Sequence, residues 1–412
     1  MSYNYSEYLE AGRYYDVKNS NVRYLIRKLL VLISCAEDHI GQTPTDGTAP
    51  STITAVEVES TPGGAKISYT IPKETDISYV KGVYYVNNRE HVVRSSIYKN
   101  SLEIEGLGTT DPLDVTLYVV DHSENVSEPF VVTINPSTPI VDLILSSVKL
   151  QADFGGVNAT WDNELGSEIG LTIMATNSKG ELEDGETYYS NMKEGDYSFR
   201  GYDDIKRVFA LYLTDKWGNV SDTIKQEVSP YYEMQLDKSK HKRLLLPKDR
   251  NTNYSAGMTF EKMFDNSLSS MWHTTEKDGT IPIYFTVDLG VDAKLSRFKL
   301  YHRDGTSWFY KHYNPKTFEV WATDTYKEGM DDEYWTEEWK KDWVQVGDFL
   351  TLKPSGEGDV TNEDAEYASK GFEFSAPLDL KKVRYLRFVV KSTWSGAAYL
   401  HIAELTFWGN DQ

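Results

Sequence analysis

Phe264-Asp265-Asn266-Ser267-Leu268-Ser269-Ser270-Met271-Trp272-His273-Thr274 opens the last third of the chain, and His401-Ile402-Ala403-Glu404-Leu405-Thr406-Phe407-Trp408-Gly409 closes it. Between them apolar and polar residues alternate with a period of two. The clearest runs are Phe285-Thr286-Val287-Asp288-Leu289, Phe298-Lys299-Leu300-Tyr301 and Phe318-Glu319-Val320-Trp321-Ala322. Successive side chains of a strand point to opposite faces, so this alternation predicts half-buried antiparallel strands. The two ends read as parts of one closed domain, residues 251–412, to which the rest of the chain is accessory.

A chain of 412 residues is too long for one ordinary core, so several domains are expected. It holds 29 Tyr and 10 Trp, residues that suit strands and wet binding surfaces alike. A formal net charge of −20 argues against nucleic acid or an anionic membrane surface as partner, because phosphates would be repelled over the whole surface. Neutral ligands remain allowed. Cys35 stands alone, so no disulfide forms within the chain. No run of about 18 apolar residues is present to span a membrane as a helix.

Near the start, Val22-Arg23-Tyr24-Leu25-Ile26-Arg27-Lys28-Leu29-Leu30-Val31-Leu32-Ile33-Ser34-Cys35 runs from basic to apolar to small residues, the order of a secretory leader. The leader begins about twenty residues after Met1. Val22 is therefore an alternative start that would leave residues 1–21 outside the protein. A short buried strand with a core cysteine is the other reading of this segment. Residues 36–51, rich in Gly, Thr and Pro, cannot bury a core and read as a flexible tether.

Residues 52–137 and 138–231 are an internal duplication. Leu117-Tyr118-Val119-Val120-Asp121 precedes Asn125-Val126-Ser127 and Pro136. Leu211-Tyr212-Leu213-Thr214-Asp215 precedes Asn219-Val220-Ser221 and Pro230. Each landmark recurs at an offset of 94 residues. Units of this length with about seven short strands fit an immunoglobulin-like sandwich, and without paired cysteines they are closer to fibronectin type III. Asn87-Asn88 suits a hairpin turn, and the Asp and Asn of the repeated motif read as turn chemistry rather than as ligands. Residues 232–250, with the cluster Lys238-Ser239-Lys240-His241-Lys242-Arg243, read as a solvated linker.

The order of motifs in residues 251–412 resembles the discoidin-like domain, also called coagulation factor five/eight type C or galactose-binding-like. The resemblance is carried by Phe264 to His273, by Phe285-Thr286-Val287-Asp288-Leu289-Gly290, by Tyr385-Leu386-Arg387-Phe388 and by Ala403 to Gly409. Leu32-Ile33-Ser34-Cys35 resembles the lipobox of bacterial lipoproteins, in which the cysteine is lipidated. The whole chain resembles Bacteroidota surface lipoproteins in which two sandwich domains of unknown function precede a discoidin-like domain. These resemblances imply an all-β protein: two immunoglobulin- or fibronectin-III-like sandwiches followed by a jelly-roll β-sandwich. Asn266 stands where the family commonly has Gly, a mild change because Asn tolerates the left-handed conformation. They further imply a structural calcium, carried over to Asp265 and Glu404 with Ser270 contributing an oxygen. Calcium takes six to eight hard oxygens, so carboxylates with loop carbonyls suit it. The plainer reading is that Asp265 makes a turn and Glu404 pairs with Arg387 or Lys391.

Binding in this fold uses loops at one edge of the sandwich. Trp308 and Tyr310 lie in a loop flanked by His302, Arg303 and His312, and Trp394 lies in a second loop with Tyr399 and His401 behind it. A sugar ring stacks its C–H face on an aromatic ring and offers hydroxyls to Arg or His. The alternative is that these rings cap the core. Trp321 and Trp408 sit at strand positions and read as core, Trp272 as core or loop support. Trp335, Trp339 and Trp343 recur every four residues, which predicts a short helix packed on the sandwich by one face. The carboxylates around them read as its solvated face, not as a glycosidase pair.

The expectation is a non-catalytic glycan-binding lipoprotein, lipid-anchored through Cys35 in the outer membrane and facing the exterior. Polysaccharide or oligosaccharide would be its ligand, and an outer-membrane glycan transporter of a polysaccharide-utilisation system its partner. The rival expectation is a protein-interaction or adhesion module using the same loops.

Overall fold

A computed structural model describes residues 46–275, 279–336 and 338–412. The leader, Cys35 and most of the tether lie outside the described residues. The chain divides into two compact units, one ending at Ser137 and one running from Thr138 to Gln412. Among the described residues no helix is long and apolar enough to cross a membrane.

The first unit is a two-sheet sandwich. Thr54–Thr61, Gly64–Thr70 and Ser101–Ile104 form one sheet. Arg89–Ser96, Ile77–Val86, Leu113–Asp121 and Phe130–Ile134 form the other. Ile67, Val80, Leu102, Val115 and Leu117 fill the space between them. Asn87 and Asn88 both take positive φ, 50° and 60°, and join Val86 to Arg89 in register, as a two-residue hairpin turn requires.

The second unit begins with the same sandwich. Glu194–Arg200, Gly156–Asp162 and Lys149–Asp153 face Leu182–Ser190, Ile169–Thr176, Arg207–Asp215 and Ile224–Val228. The duplicated motif does the same work in both copies. Asp121 accepts the backbone N–H groups of Ser123 and Asn125, and Asp215 accepts those of Trp217 and Asn219. Ser127 and Ser221 each accept a backbone N–H from the preceding strand at 2.9 Å. These are turn contacts, as the sequence suggests.

The rest of the second unit is a larger sandwich organised by one strand, Ile283–Tyr301. Its first half pairs with Val383–Thr393, which pairs in turn with Pro315–Thr323 and then Val344–Leu350. Its second half pairs with Glu404–Asn410 and Phe372–Ser375. The strand thus passes from one sheet to the other, and its register shifts between Asp288 and Ala293. Gly290 makes the corner: its φ is +73°, and a Cβ there would lie 2.5 Å from the carbonyl oxygen of Lys240. Phe285, Phe298, Phe318, Phe388 and Trp272 are fully buried between the sheets, with Phe285 stacked on Phe388 at 4.6 Å.

Three expectations need correction. The stretch 232–250 is not a solvated linker. Met234–Gln235 adds to Glu404–Asn410, Lys242–Leu244 adds to the long strand, and Leu236, His241 and Leu246 are buried. It also joins the two sandwiches of this unit. Glu233 accepts bonds from Arg297 and Ser296 of the larger sandwich, and Arg200 of the smaller one lies 3.9 Å away. Trp335, Trp339 and Trp343 do face the sandwich, but from turns and the short 3-10 segment Glu338–Lys341 rather than from an α-helix. They cover Arg387, which is fully buried, stacks on Trp335 and Trp339 at 4.8 and 4.5 Å, and pairs with Asp249 at 3.0 Å. Trp321 and Trp408 are only half-buried. Trp321 packs beneath Trp339, and Trp408 lies under Arg297 at 4.1 Å. Trp272 is core.

Candidate functional site

The opening loop of the larger sandwich begins as the 3-10 turn Phe260–Phe264, whose apolar side chains anchor it in the core. Asn266 follows with φ of +60°, the left-handed conformation its side chain tolerates. Asp265 accepts the Ser270 hydroxyl at 2.7 and 2.8 Å, the Ser267 N–H at 3.1 Å and the Lys262 ammonium at 3.0 Å. Burial pushes its pKa up, but these bonds outweigh it and hold the carboxyl below its usual range.

Glu404 pairs with neither Arg387 nor Lys391. Its partner is Lys238, at 2.5 Å, with side-chain exposures of only 4% and 8%. Burial pushes Glu404 above the usual carboxylate range, and Lys238 opposes that shift. The Asn266 backbone N–H also lowers it, and the Asp265 charge nearby raises it.

Ser270 bonds Asp265, and the Asp265 charge reaches Glu404, but the arrangement does not fit calcium. Each carboxylate already carries an ammonium group, and a calcium site collects oxygens without a cation in contact. Among the described residues, no three His, Cys, Asp or Glu side chains converge to hold a metal.

A second cluster sits where Trp272–His273 pairs with His401–Ile402. That two-residue pairing places His273 opposite His401. Buried Asn314 fixes the neighbouring loop by accepting the Arg303 N–H at 2.9 Å and donating to the carbonyls of Trp308 and Lys311 at 2.7 and 3.1 Å. Tyr310 and His312 in this loop both have positive φ, 52° and 55°. Such non-glycine conformations cost on the order of 1–3 kcal/mol each and collect at functional sites. The second loop docks on the first, with Trp394 N–H on the Asn314 carbonyl and Ser395 N–H on that of His312.

The result is a contiguous set of rings. Trp308 lies 4.8 Å from His312 and 6.2 Å from His401. Tyr313 lies 4.6 Å from Tyr399 and 5.6 Å from both His273 and His401. Tyr254, 63% exposed, stacks on His273 at 4.8 Å. The Arg303 guanidinium covers one face of Trp308 at 3.4 Å. His401, at the base, is fully buried, and neither of its ring nitrogens has a partner. Burial, with Arg303 and the other imidazoles nearby, drives its pKa down to about 2. The rings around it make an aromatic surface rimmed by the Arg303 guanidinium.

The seven expected ligand-binding residues divide. Trp308, Arg303, His312 and Tyr399 join this cluster. His302 and Tyr310 are buried beneath it: His302 bonds the Pro315 carbonyl, and Tyr310 bonds that of Leu352. Neither offers a surface. Trp394 is half-buried beside Tyr310 at 5.1 Å, with its indole N–H on Thr351, and belongs to that inner layer. His401, expected behind Trp394 with Tyr399, is at the base of the cluster, and Tyr254, His273 and Tyr313 are members that the loop pattern did not identify.

Three family models match the chain, each described as a domain of unknown function: DUF4959 over residues 50–136, DUF5126 over 137–239 and DUF5000 over 260–409. The last spans the ring cluster except for Tyr254. No curated protein matches the chain. Among solved structures it is similar to a SusE-like protein, with 28% identity over 66% of this chain and 100% of that one, and a TM-score of 0.42. An F5/8 type C domain from Bacteroides fragilis shares 12% identity over 44% of this chain and 98% of that one, with a TM-score of 0.29. A GH31 CBM32-2 module bound to GalNAc shares 13% identity over 40% and 95%, with a TM-score of 0.25.

Proposed function

We propose that this is a non-catalytic glycan-binding protein whose site is the ring cluster around Trp308. One observation carries the reading: Trp308, His312, Tyr313, Tyr399 and Tyr254 form a connected aromatic surface around buried His273 at the sandwich edge, with Arg303 fixed against it. A sugar ring stacks its apolar face on such a surface, and Arg303 and the exposed His312 supply hydrogen bonds to hydroxyls. The charge of −20 suits a neutral ligand. The affinity of such a site falls roughly in the micromolar to millimolar range.

The basic, apolar and small residues before Cys35 support lipid anchoring at that residue. An anchored protein of this kind would hold polysaccharide near an outer-membrane glycan transporter. Palmitate labelling that is lost in Cys35→Ala tests the anchor.

The binding test is a glycan-array screen of the whole chain beside Trp308→Ala and His312→Ala. Signal on a glycan class that disappears in both folded variants supports the site. Unchanged binding in both removes it, and silence across the array favours a protein ligand at the same rings.

A further inference from the structure

The second sandwich carries a trough far from the ring cluster in sequence and built from different residues. Its floor is Gly170, in the middle strand Ile169–Thr176. Tyr189 and Thr214 flank it in register on the two neighbouring strands. A side chain at Gly170 would collide with both: a Cβ there would lie 2.9 Å from the Thr214 hydroxyl and 3.1 Å from the edge of the Tyr189 ring. Thr214 and Tyr189 thus lean over the glycine, and beside them lies a cavity of about 450 Å³, within the range of small-ligand sites. Glu168, Asn191 and Lys216 stand at its rim.

The tyrosine is placed for contact rather than for packing. Tyr188, its neighbour, points to the opposite face of the strand and stacks on Tyr197 at 3.8 Å in the sandwich interior. Tyr189 is 76% exposed. Trp217, 40% exposed, follows in the adjoining turn with the Lys216 ammonium 4.5 Å from its ring centre. Asp215 is taken up by the turn itself, through Trp217 and Asn219. Among the described residues the side chains of Glu168 and Asn191 make no hydrogen bond or ion pair.

The duplication supplies an internal comparison. Ile77 pairs with Asp121 in the first copy as Ile169 pairs with Asp215 in the second. The first copy then bulges at Ser78, and Tyr79 pairs with Val120, the counterpart of Thr214, so Tyr79 stands where the second copy has Gly170. The glycine floor therefore belongs to the residues of the second copy, not to the sandwich as such.

We infer that this trough is a second carbohydrate contact, in which a sugar ring stacks on Tyr189 over Gly170 and its hydroxyls meet Asn191, Glu168 and Lys216. The inference shares with the proposed function only the premise that the ligand is a glycan. A polysaccharide chain touching both places gains avidity without any new contact at either.

The test is affinity electrophoresis of the whole chain in native gels containing galactomannan, arabinoxylan, yeast α-mannan or mucin O-glycan. The variants are Tyr189→Ala, Asn191→Ala/Lys216→Ala, Trp308→Ala and Tyr189→Ala/Trp308→Ala, each with a wild-type melting curve as a condition of use. On a polysaccharide that retards the wild type, Tyr189→Ala and the Asn191/Lys216 variant should each weaken retention by roughly 3- to 10-fold, and the Tyr189/Trp308 variant should abolish it. Retention unchanged in Tyr189→Ala but lost in Trp308→Ala overturns the trough and leaves the ring cluster standing. Loss in Tyr189→Ala with none in Trp308→Ala keeps the trough and removes the ring cluster. No retardation of the wild type in any gel overturns both.

Discussion

The guanidinium carbon of Arg303 lies 3.4 Å from the centre of the Trp308 ring. One face of the indole is therefore occupied, and a ligand has only the other. The arginine also fixes the ring that it covers. Arg303→Lys keeps the charge but loses the flat surface, so the two are not interchangeable here. We expect glycan affinity to fall about fivefold in Arg303→Lys, about 1 kcal/mol for a cation–π contact. Titration calorimetry with the glycan identified on the array measures it, and equal affinity would show that the stacking plays no part.

Calcium should be dispensable. Lys238 sits on Glu404 at 2.5 Å, inside the sandwich, where a cation would otherwise be needed. Addition of EDTA or millimolar calcium should leave the melting temperature within a degree. Lys238→Met leaves a buried carboxylate unpaired and should cost about 3–5 kcal/mol in a urea titration. A calcium-dependent rise of several degrees in the wild type would refute this account.

Acid should destabilise the larger sandwich earlier than its carboxylates alone would suggest. His401 and His302 are buried, which lowers their pKa to about 2 and about 3 from 6.5. The unfolded chain binds protons below pH 6.5 that the folded chain refuses, so their contribution is whole above that pH and is lost as pH falls towards 3. Between pH 7 and 5 each imidazole forfeits about 2 kcal/mol by this linkage. Asp249, which burial pushes up to about 6, works the other way over the same range and offsets part of the loss. His401→Phe should therefore show a visibly smaller drop in urea midpoint from pH 7 to 5 than the wild type. Parallel curves would mean that His401 does not titrate on unfolding in this range.

The tryptophan cover over Arg387 should fail as a unit. Asp249→Asn removes the charge partner of a fully buried guanidinium and should cost about 3–5 kcal/mol. Arg387→Met keeps the volume against Trp335 and Trp339 and loses both charges' desolvation once Asp249→Asn is also made. The double variant should recover most of the single variant's loss, and a four-way comparison of unfolding free energies reads the coupling.

The period-two runs and the 94-residue repeat were sufficient to read the sandwiches, because strand alternation and duplication are written locally. The Trp308 loop was readable for the same reason: its rings fall outside any strand pattern. Tyr254 and His273 were not, since a two-residue pairing sets His273 opposite His401, and Tyr254 follows by bonding the His273 carbonyl, from segments that share no local signal. Burial inverted two readings. His302 and Tyr310 have binding-site chemistry but point inwards, and Lys238 looks solvated in a basic run while its ammonium meets Glu404 in the interior. The tryptophans at spacing four faced the sandwich as expected, but turns satisfied that spacing without a helix.

The weaving of residues 232–250 into the larger sandwich decides where this protein can be cut. A fragment starting at Asn251 would lack two edge strands, and it would strand Glu404 without Lys238 and Arg387 without Asp249. Such a piece should be insoluble or molten, and its silence in any assay would say nothing about the intact molecule. Because Glu233 is also bonded to Arg297 and lies near Arg200, even a start at Met234 would expose a torn seam. The compact unit that includes the ring cluster runs from Thr138 to Gln412, and a cut ahead of Thr138 leaves all of these contacts intact.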